Sequence, residues 1–389
     1  MNILLLSTSY FPEHNGASLR VEGLCKGLKA LGHHVVVMAP GPSFMKEHFA
    51  HCVVYRIPLH RHLFSAIFES FTKFHISRYF AFKHYLPRII MDEHIEIIHT
   101  RQPLDLFALG SYVKKHFGLR WITEAHKFLS RTEYDTGQRS FLSYKFLLFF
   151  EKFFLNKSDG VVALSSSGKD RLYHEGIHVP LAVVENASHP PHKKHQCVKT
   201  KNLVYAGTLR EIEGLDVLLD AFALIHTSYP DVKLYLVGGG KKDWLEKKAQ
   251  HLGISSHVIF TGEVEHERVF DYLASAYLFV YPRKDVPYHH DIIGLKIYDA
   301  FDIHLPLVTS DVGELGSLVT THRLGLVCKP EDPHDFARQV AKLLDDRKLY
   351  ASLVSHLKHY QQRHTWKSVC SHLLPLYPRH TTMRTPKNL

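Results

Sequence analysis

The stretch NILLLSTSYFPEHNGASLRVEGLCKGLKALGHHVVVMAP, residues 2–40, decides the fold. NILLLS (2–7) is a short apolar run that reads as a buried parallel strand. TSYFPEHNG has the composition of a loop. ASLRVEGLCKGLKALGH then carries apolar residues at helical spacing, with Gly32 placed to end the helix. HVVVMAP is the next strand. Strand, loop, helix and strand make one βαβ unit.

The same rhythm continues outward from this unit. IEIIHT (95–100), LRWITEA (119–125), GVVALS (160–165) and LAVVEN (181–186) read as strands, with helices over 104–117 and 140–155. Residues 187–201, ASHPPHKKHQCVKTK, lack periodicity and read as a linker. The alternation then restarts with NLVYAG (202–207), VKLYLVGGG (232–240), VIFTGEV (258–264), LFVYP (278–282), PLVTS (306–310) and LGLVC (324–328). Helices are expected over 214–228, 242–252, 266–274, 294–303 and 333–345. The fold class is α/β, with two Rossmann-like, doubly wound domains in tandem. The boundaries are 1–187 for the first domain, 188–201 for the linker and 202–360 for the second. Residues 361–389 form a terminal helix and tail. A ligand would lie at the carboxyl ends of the strands, in a cleft between the domains.

Composition narrows the class. The 389 residues suit two domains, and 45% hydrophobic with 22% charged residues is ordinary for a chain with a real core. The formal charge of +10 favours an anionic partner, either a nucleic acid, a phosphate-bearing ligand or an acidic membrane surface, or else serves solubility alone. Five scattered Cys without a CxxC pair argue against both a disulfide framework and a zinc site. The 32 His contain no HExxH. MNILLLSTSY lacks the basic start of a signal peptide, and no run reaches the roughly 20 apolar residues of a membrane helix. A cytoplasmic protein is expected.

Four strand-end loops in the second half share one chemistry: AGTLREIEG (206–214), VGGGKKDW (237–244), PRKD (282–285) and SDVGE (310–314). Glycines such as Gly207 and Gly238 let backbone N–H groups approach a ligand. Arg210 and Arg283 add planar donor forks suited to phosphate. The run DIIGLKIYDAF (291–301) adds more. Gly294 and Leu295 would open a helix whose N–H groups attract an anion, and Lys296 adds a charge in its first turn. Asp291 could accept from sugar hydroxyls, and Asp299, one turn from Lys296, could hold a ribose diol. The plain alternative is a capping Asp291 and a surface Lys296–Asp299 pair.

These motifs, in order and spacing, resemble the retaining glycosyltransferases of the GT-B fold, group 1, also called GT4. The resemblance covers nearly the whole chain. WITEAHKF resembles the family's strand-end histidine, LVYAGTLREIEGLDVLLDAF and PLVTSDVGEL its donor-domain signatures, and RHTWKSVCSHLLPLY its terminal helix that crosses back to the first domain. It implies that Gly16 and neighbouring Asn15 face the donor phosphates and the acceptor, and that His126 lies near the reacting sugar. Val264 would meet the base through its backbone, Asp299 the ribose, Asp291 the sugar, and the backbone of Leu295 and Lys296 the distal phosphate. The family's paired glutamates are here Asp291 and Asp299, each a methylene shorter. Its phosphate-binding Arg and Lys fall at Thr208 and Glu213, so Arg210, Arg283 and Lys296 stand as replacements. The implied chemistry is front-face displacement with retention. The donor is a nucleotide sugar, the acceptor a glycan or lipid-linked molecule, and neither cofactor nor metal takes part. A sugar-nucleotide epimerase and a binding-only relative remain as alternatives.

Two segments, 60–90 and YKFLLFFEKFFLNK (144–157), interleave aromatic with basic residues. They suit the inner face of an anionic membrane. Alternatively, the rings pack in the core and the bases snorkel outward. No nucleic-acid recognition motif appears, so a nucleic-acid partner is not expected.

Overall fold

The computed structural model describes residues 1–13, 15–59, 74–126, 128–135, 139–188, 200–291 and 293–377. Contacts divide the chain into two compact units, residues 1–186 with 366–389, and residues 187–365.

The first unit is built on β1 (Asn2–Leu6), β2 (His34–Gly41), β3 (Met45–His48), β4 (Val53–Pro58), β5 (Ile97–Arg101), β6 (Arg120–Glu124), β7 (Gly160–Ala163) and β8 (Leu181–Val183). Their order in the sheet is β3-β4-β2-β1-β5-β6-β7-β8. Ile3 pairs with both Val35 and Ile97, so the opening apolar run lies mid-sheet with helices over both faces. Only β3 runs antiparallel. MKEH is polar and mostly exposed, as suits an edge strand, which is why its pattern did not announce a strand.

The helix Gly16–Ala30 starts on an Asn15 cap and stops at Gly32, whose φ of +85° a glycine adopts without strain. Two interior glycines would ordinarily weaken it, by roughly 0.5–1 kcal/mol each. Here they clear a lane. A Cβ on Gly23 would lie 2.0 Å from the Trp366 ring, and one on Gly27 would lie 2.5 Å from Cys370 Sγ. The short helix Trp366–Ser371 packs in that lane, and Tyr377 is buried with its hydroxyl bonded to His99 Nδ1.

The chain therefore joins the first unit at Trp366 rather than at 361. Helix Arg347–Arg363 runs unbroken and keeps Leu353, Leu357 and Tyr360 in the second unit's core. The linker expected over 188–201 falls mostly outside the described residues.

The second unit carries β9 (Leu203–Ala206), β10 (Leu234–Val237), β11 (Val258–Gly262), β12 (Leu278–Tyr281), β13 (Leu307–Ser310) and β14 (Gly325–Cys328), all parallel, in the order β11-β10-β9-β12-β13-β14. Chain order reverses between β9 and β12 here, and between β2/β1 and β5 in the first unit. Each reversal opens a crevice at the strand carboxyl ends. In this unit the sequence missed two helices, Pro287–His290 and Gly313–His322. The second begins inside SDVGE, where the loop glycine is also the helix start.

Replacing Gly23 with Ala drives a methyl group into a buried indole. Overpacking of this kind costs about 1–3 kcal/mol. The variant should melt several degrees below the wild type in a thermal scan, and an unchanged melting temperature would mean that Trp366 does not pack there.

Candidate active site

In the second unit the strand tips build a cavity of about 390 Å³, lined by Gly207, Thr208, Gly238, Gly239, Gly240, Glu263, Val264, Val237 and Val269. The glycines are there for space. Gly207 and Gly238 have φ of +150° and +142°, and a Cβ on Gly238 would lie 2.1 Å from the Gly207 carbonyl. One on Gly207 would meet Lys296 Nζ at 2.6 Å. The wall is thus backbone, and Lys296 stands at its rim.

Beside this wall sits Glu213, a buried carboxylate that gathers cations. Arg210 Nη2 donates to Oε1, Lys296 Nζ lies 3.2 Å from Oε2, and the Tyr281 hydroxyl donates to Oε2 at 2.5 Å. Lys296 also lies 3.2 Å from the Tyr205 hydroxyl, with its ammonium 4.6 Å from the centre of the Tyr281 ring. The buried Arg283 guanidinium lies 5.6 Å from that ring centre. Arg210 and Lys296 thus share one carboxylate, with the Arg283 guanidinium close by. Burial pushes the Glu213 carboxyl up, but Lys296 and the donors on Tyr281 and Arg210 outweigh it and hold it at about 2. Burial also pushes the Lys296 ammonium down, with Glu213 opposing and Arg210 and Arg283 reinforcing. A partly desolvated ammonium crowded by like charge is stabilised when an anion arrives.

The helix Leu295–Asp302 starts from Gly294 with no capping side chain, so its first-turn amides keep their anion-binding capacity. Asp299 is nearly buried, with Oδ2 3.2 Å from His266 Nε2. His266 opens the helix that follows Val264, which ties Asp299 to the β11 tip. Asp291 is buried at the end of the Pro287–His290 helix and is not part of the cavity wall. His289, in that short helix, donates from Nδ1 to the Lys284 carbonyl. Burial and nearby Arg283 lower its pKa to about 4.

The first unit repeats the device at its own strand tips. Glu124 ends β6 and is fully buried. Arg20 Nη2 donates to it at 2.8 Å, Arg101 Nε lies 2.9 Å away, and His126 Nε2 lies at 3.3 Å. Burial pushes the Glu124 carboxyl up, but Arg20, His126 and Arg101 hold it well below the usual range. Burial lowers His126 to about 4, so the ring is neutral near pH 7. With the Nε2 proton donated to Glu124, Nδ1 keeps a lone pair for a hydroxyl. Arg101 also donates to the Ala17 carbonyl at 2.9 Å, which ties His126 to the start of the Gly16 helix. The space where a Gly16 Cβ would sit is open, and Asn15 Oδ1 is committed to the helix cap, accepting from Ala17 and Ser18 at 3.0 Å.

The structure therefore brings Gly207, Thr208, Gly238 and Val264 around one cavity, and Arg210, Arg283 and Lys296 around Glu213. In the other unit it brings His126 close to the Gly16 helix. Sequence reasoning missed Glu124, Arg20, Arg101 and His266, and treated Glu213 only as a lost cation. The available signal was an acidic residue closing an apolar strand, as in WITEA.

Comparison with known proteins agrees with this architecture. Residues 14–188 match the Glycosyltransferase Family 4 model and residues 200–346 the Glycosyl transferases group 1 model. The uncharacterized glycosyltransferase MJ1178 of Methanocaldococcus jannaschii is 22% identical over 370 residues, 94% of each chain. Several further curated relatives match over only 39–48% of their own length. Among solved structures, sucrose-phosphate synthase from Thermosynechococcus elongatus superposes with a TM-score of 0.75 at 21% identity, covering 97% of this chain and 98% of that one. Anabaena Alr3699/HepE, in complex with UDP and glucose, gives 0.69 at 16% identity, covering 97% and 99%. The fold is that of the GT-B glycosyltransferases, and the chain belongs to the group 1, or GT4, glycosyltransferases.

Glu213 supplies a pH test. Its carboxyl lies below the ordinary 4.5 in the fold, so its contribution is present above that value and lost as pH falls towards about 2. Glu213→Gln should melt below the wild type at pH 7, and the gap should narrow as the pH is lowered below about 4.5. A gap that is constant with pH would show that Glu213 is not held as an anion.

Proposed function

We propose that this glycosyltransferase moves a sugar from a nucleoside-diphosphate donor to a glycan or lipid-linked acceptor, with retention at the anomeric carbon. The reading places it in cell-surface polysaccharide or glycolipid synthesis on the cytoplasmic face of a membrane. The observation that carries it is the gathering of Arg210, Arg283 and Lys296 beside a glycine-walled cavity. A diphosphate brings the opposite charge, and that charge grows on the leaving group as the glycosidic bond breaks. Preorganised cations there lower the barrier without reorganising. The amides of Leu295 and Lys296 would meet the distal phosphate, Val264 the base and Asp299 the ribose. Neutral His126 would orient an acceptor hydroxyl through Nδ1, and the departing phosphate would take its proton. Asp291, buried outside the cavity wall, takes no part in this scheme.

The reaction needs no metal in this reading, since the cations already present neutralise the diphosphate. The bound UDP of the Anabaena relative suggests uridine or another nucleoside diphosphate. Release of that diphosphate should depend on acceptor. Acceptor-independent turnover to an isomerised donor would instead identify an epimerase, and binding without turnover an inactive relative.

Lys296→Ala should lower kcat by 10²–10³-fold, the usual loss for one preorganised donor to a developing anion. Steady-state release of UDP or GDP measures it, and an unchanged kcat would remove Lys296 from the mechanism.

A further inference from the structure

We propose that the outer face of helix Phe141–Lys157 is a seat for an anionic lipid surface, set beside the loop that carries His126. Leu142, Phe146, Phe149 and Phe153 recur at spacings of four, three and four, which is one stripe of a helix. They are 80%, 51%, 63% and 41% exposed. With Phe141, this one helix holds five of the thirteen large apolar side chains exposed among the described residues, so the pattern is a patch rather than scatter. The rings touch one another, Phe149 with Phe150 at 5.4 Å and with Phe153 at 6.3 Å between centres. The stripe is about 17 Å long, from 11 residues at 1.5 Å each.

The opposite face is spent on the core through Tyr144, Leu147, Leu148 and Leu155. The rings on the outer face are therefore not hidden core residues, as the alternative sequence reading held. Among the described residues, no helix is long and apolar enough to cross a membrane. A helix with this face lies in the interface instead, with its rings at head-group depth.

Charge decides the partner. The helix turns Lys145 and Lys157 outward while Lys152 is half-buried over the Phe128 ring, and its only acid, Glu151, is buried on the inner face. Lys157 Nζ sits 4.0 Å from the centre of the Phe153 ring and Lys145 Nζ 5.4 Å from that of Phe141, so base and ring present one composite surface. Lys152 is bridged to Glu175 at 3.2 Å. A second copy of the chain on this face would set lysine against lysine across a two-fold axis. Lipid phosphates meet the same lysines with the opposite sign. Segment 60–73 of the other aromatic–basic stretch lies outside the described residues, but Phe80 and Lys83 beyond it continue the character on a helix packed against 104–117, which in turn packs on 141–157.

The seat is also wired to the site. Glu151 accepts from the Leu129 amide at 2.9 Å and the Ser130 hydroxyl at 2.5 Å, and so caps the helix that starts three residues after His126. Through Glu151 the helix that bears the lipid on its outer face supports, on its inner face, the segment proposed to hold the acceptor, an arrangement compatible with a lipid-linked acceptor. That link to the acceptor rests on the glycosyl-transfer reading. The lipid seat does not.

Co-sedimentation tests the seat, using vesicles of phosphatidylcholine alone and of phosphatidylcholine with about one-third phosphatidylglycerol. The wild type should partition at least tenfold more strongly onto the anionic vesicles. The quadruple variant Leu142→Ser, Phe146→Ser, Phe149→Ser, Phe153→Ser and the pair Lys145→Glu, Lys157→Glu should each lose that preference while keeping the wild-type melting temperature, because these side chains support no core. Equal binding to both vesicles, or full binding by either variant, overturns the proposal. So does a wild-type dimer, seen by light scattering, that the serine variant dissolves. The melting-temperature rise given by UDP or GDP, read on the same variants, tests the donor site separately. It should persist in the serine variant whichever way the vesicles fall.

Discussion

The buried carboxylate of Glu213 is the constraint on which the site depends. Lys296 and Arg210 are long, flexible and hydrated, and nothing in their own elements would hold them at the rim of a glycine-walled cavity. One acid with two oxygens, fixed by Tyr281, gives each a place. It neutralises only part of their charge. The residue of positive potential is directed at the strand tips of β9 and β12, where an open parallel sheet receives its ligands. The same acid explains how a chain with Thr208 and Glu213 in place of two basic residues can still confront a diphosphate. Arg210 keeps one charge in the loop after β9, Arg283 and Lys296 bring the others from beyond β12, and Glu213 anchors Arg210 and Lys296.

Glu124 does the same in the other unit. Arg20, Arg101 and His126 converge on it from a helix and from the tips of two strands. A buried charge left unpaired would be costly, and full pairing makes this cluster stiff as well as tolerable. Stiffness matters because it fixes the His126 tautomer and the start of the Gly16 helix together. Each unit thus uses an acid at a strand end to orient the groups that would do chemistry.

Much of the fold was legible in the sequence because it is local. The 2–7 run, the helix spacing after Gly16 and the glycines after β9 and β10 carry their meaning within a few residues. The polar MKEH edge strand was not legible, since its exposed side chains carry no apolar pattern. The role of the two glycines facing Trp366 was not legible either, since their partner lies some 340 residues away. The site divides in the same way. Gly207 and Gly238 follow from strand-end position, Lys296 from its place in the first turn of a helix, and Val264 from the family resemblance. The Lys296–Glu213 and Arg20–Glu124 contacts join residues 83 and 104 positions apart, and no spacing rule connects them. His266 against Asp299 is hidden for the same reason.

The central claim is that this gathered charge exists to hold a diphosphate. Calorimetric titration of each nucleoside diphosphate against its parent nucleoside, at low and high salt, tests it most directly. The account predicts that one diphosphate binds at least tenfold more tightly than its nucleoside, and that the advantage shrinks as salt screens the cations. Equal affinity for nucleoside and diphosphate, or an advantage indifferent to salt, would contradict it.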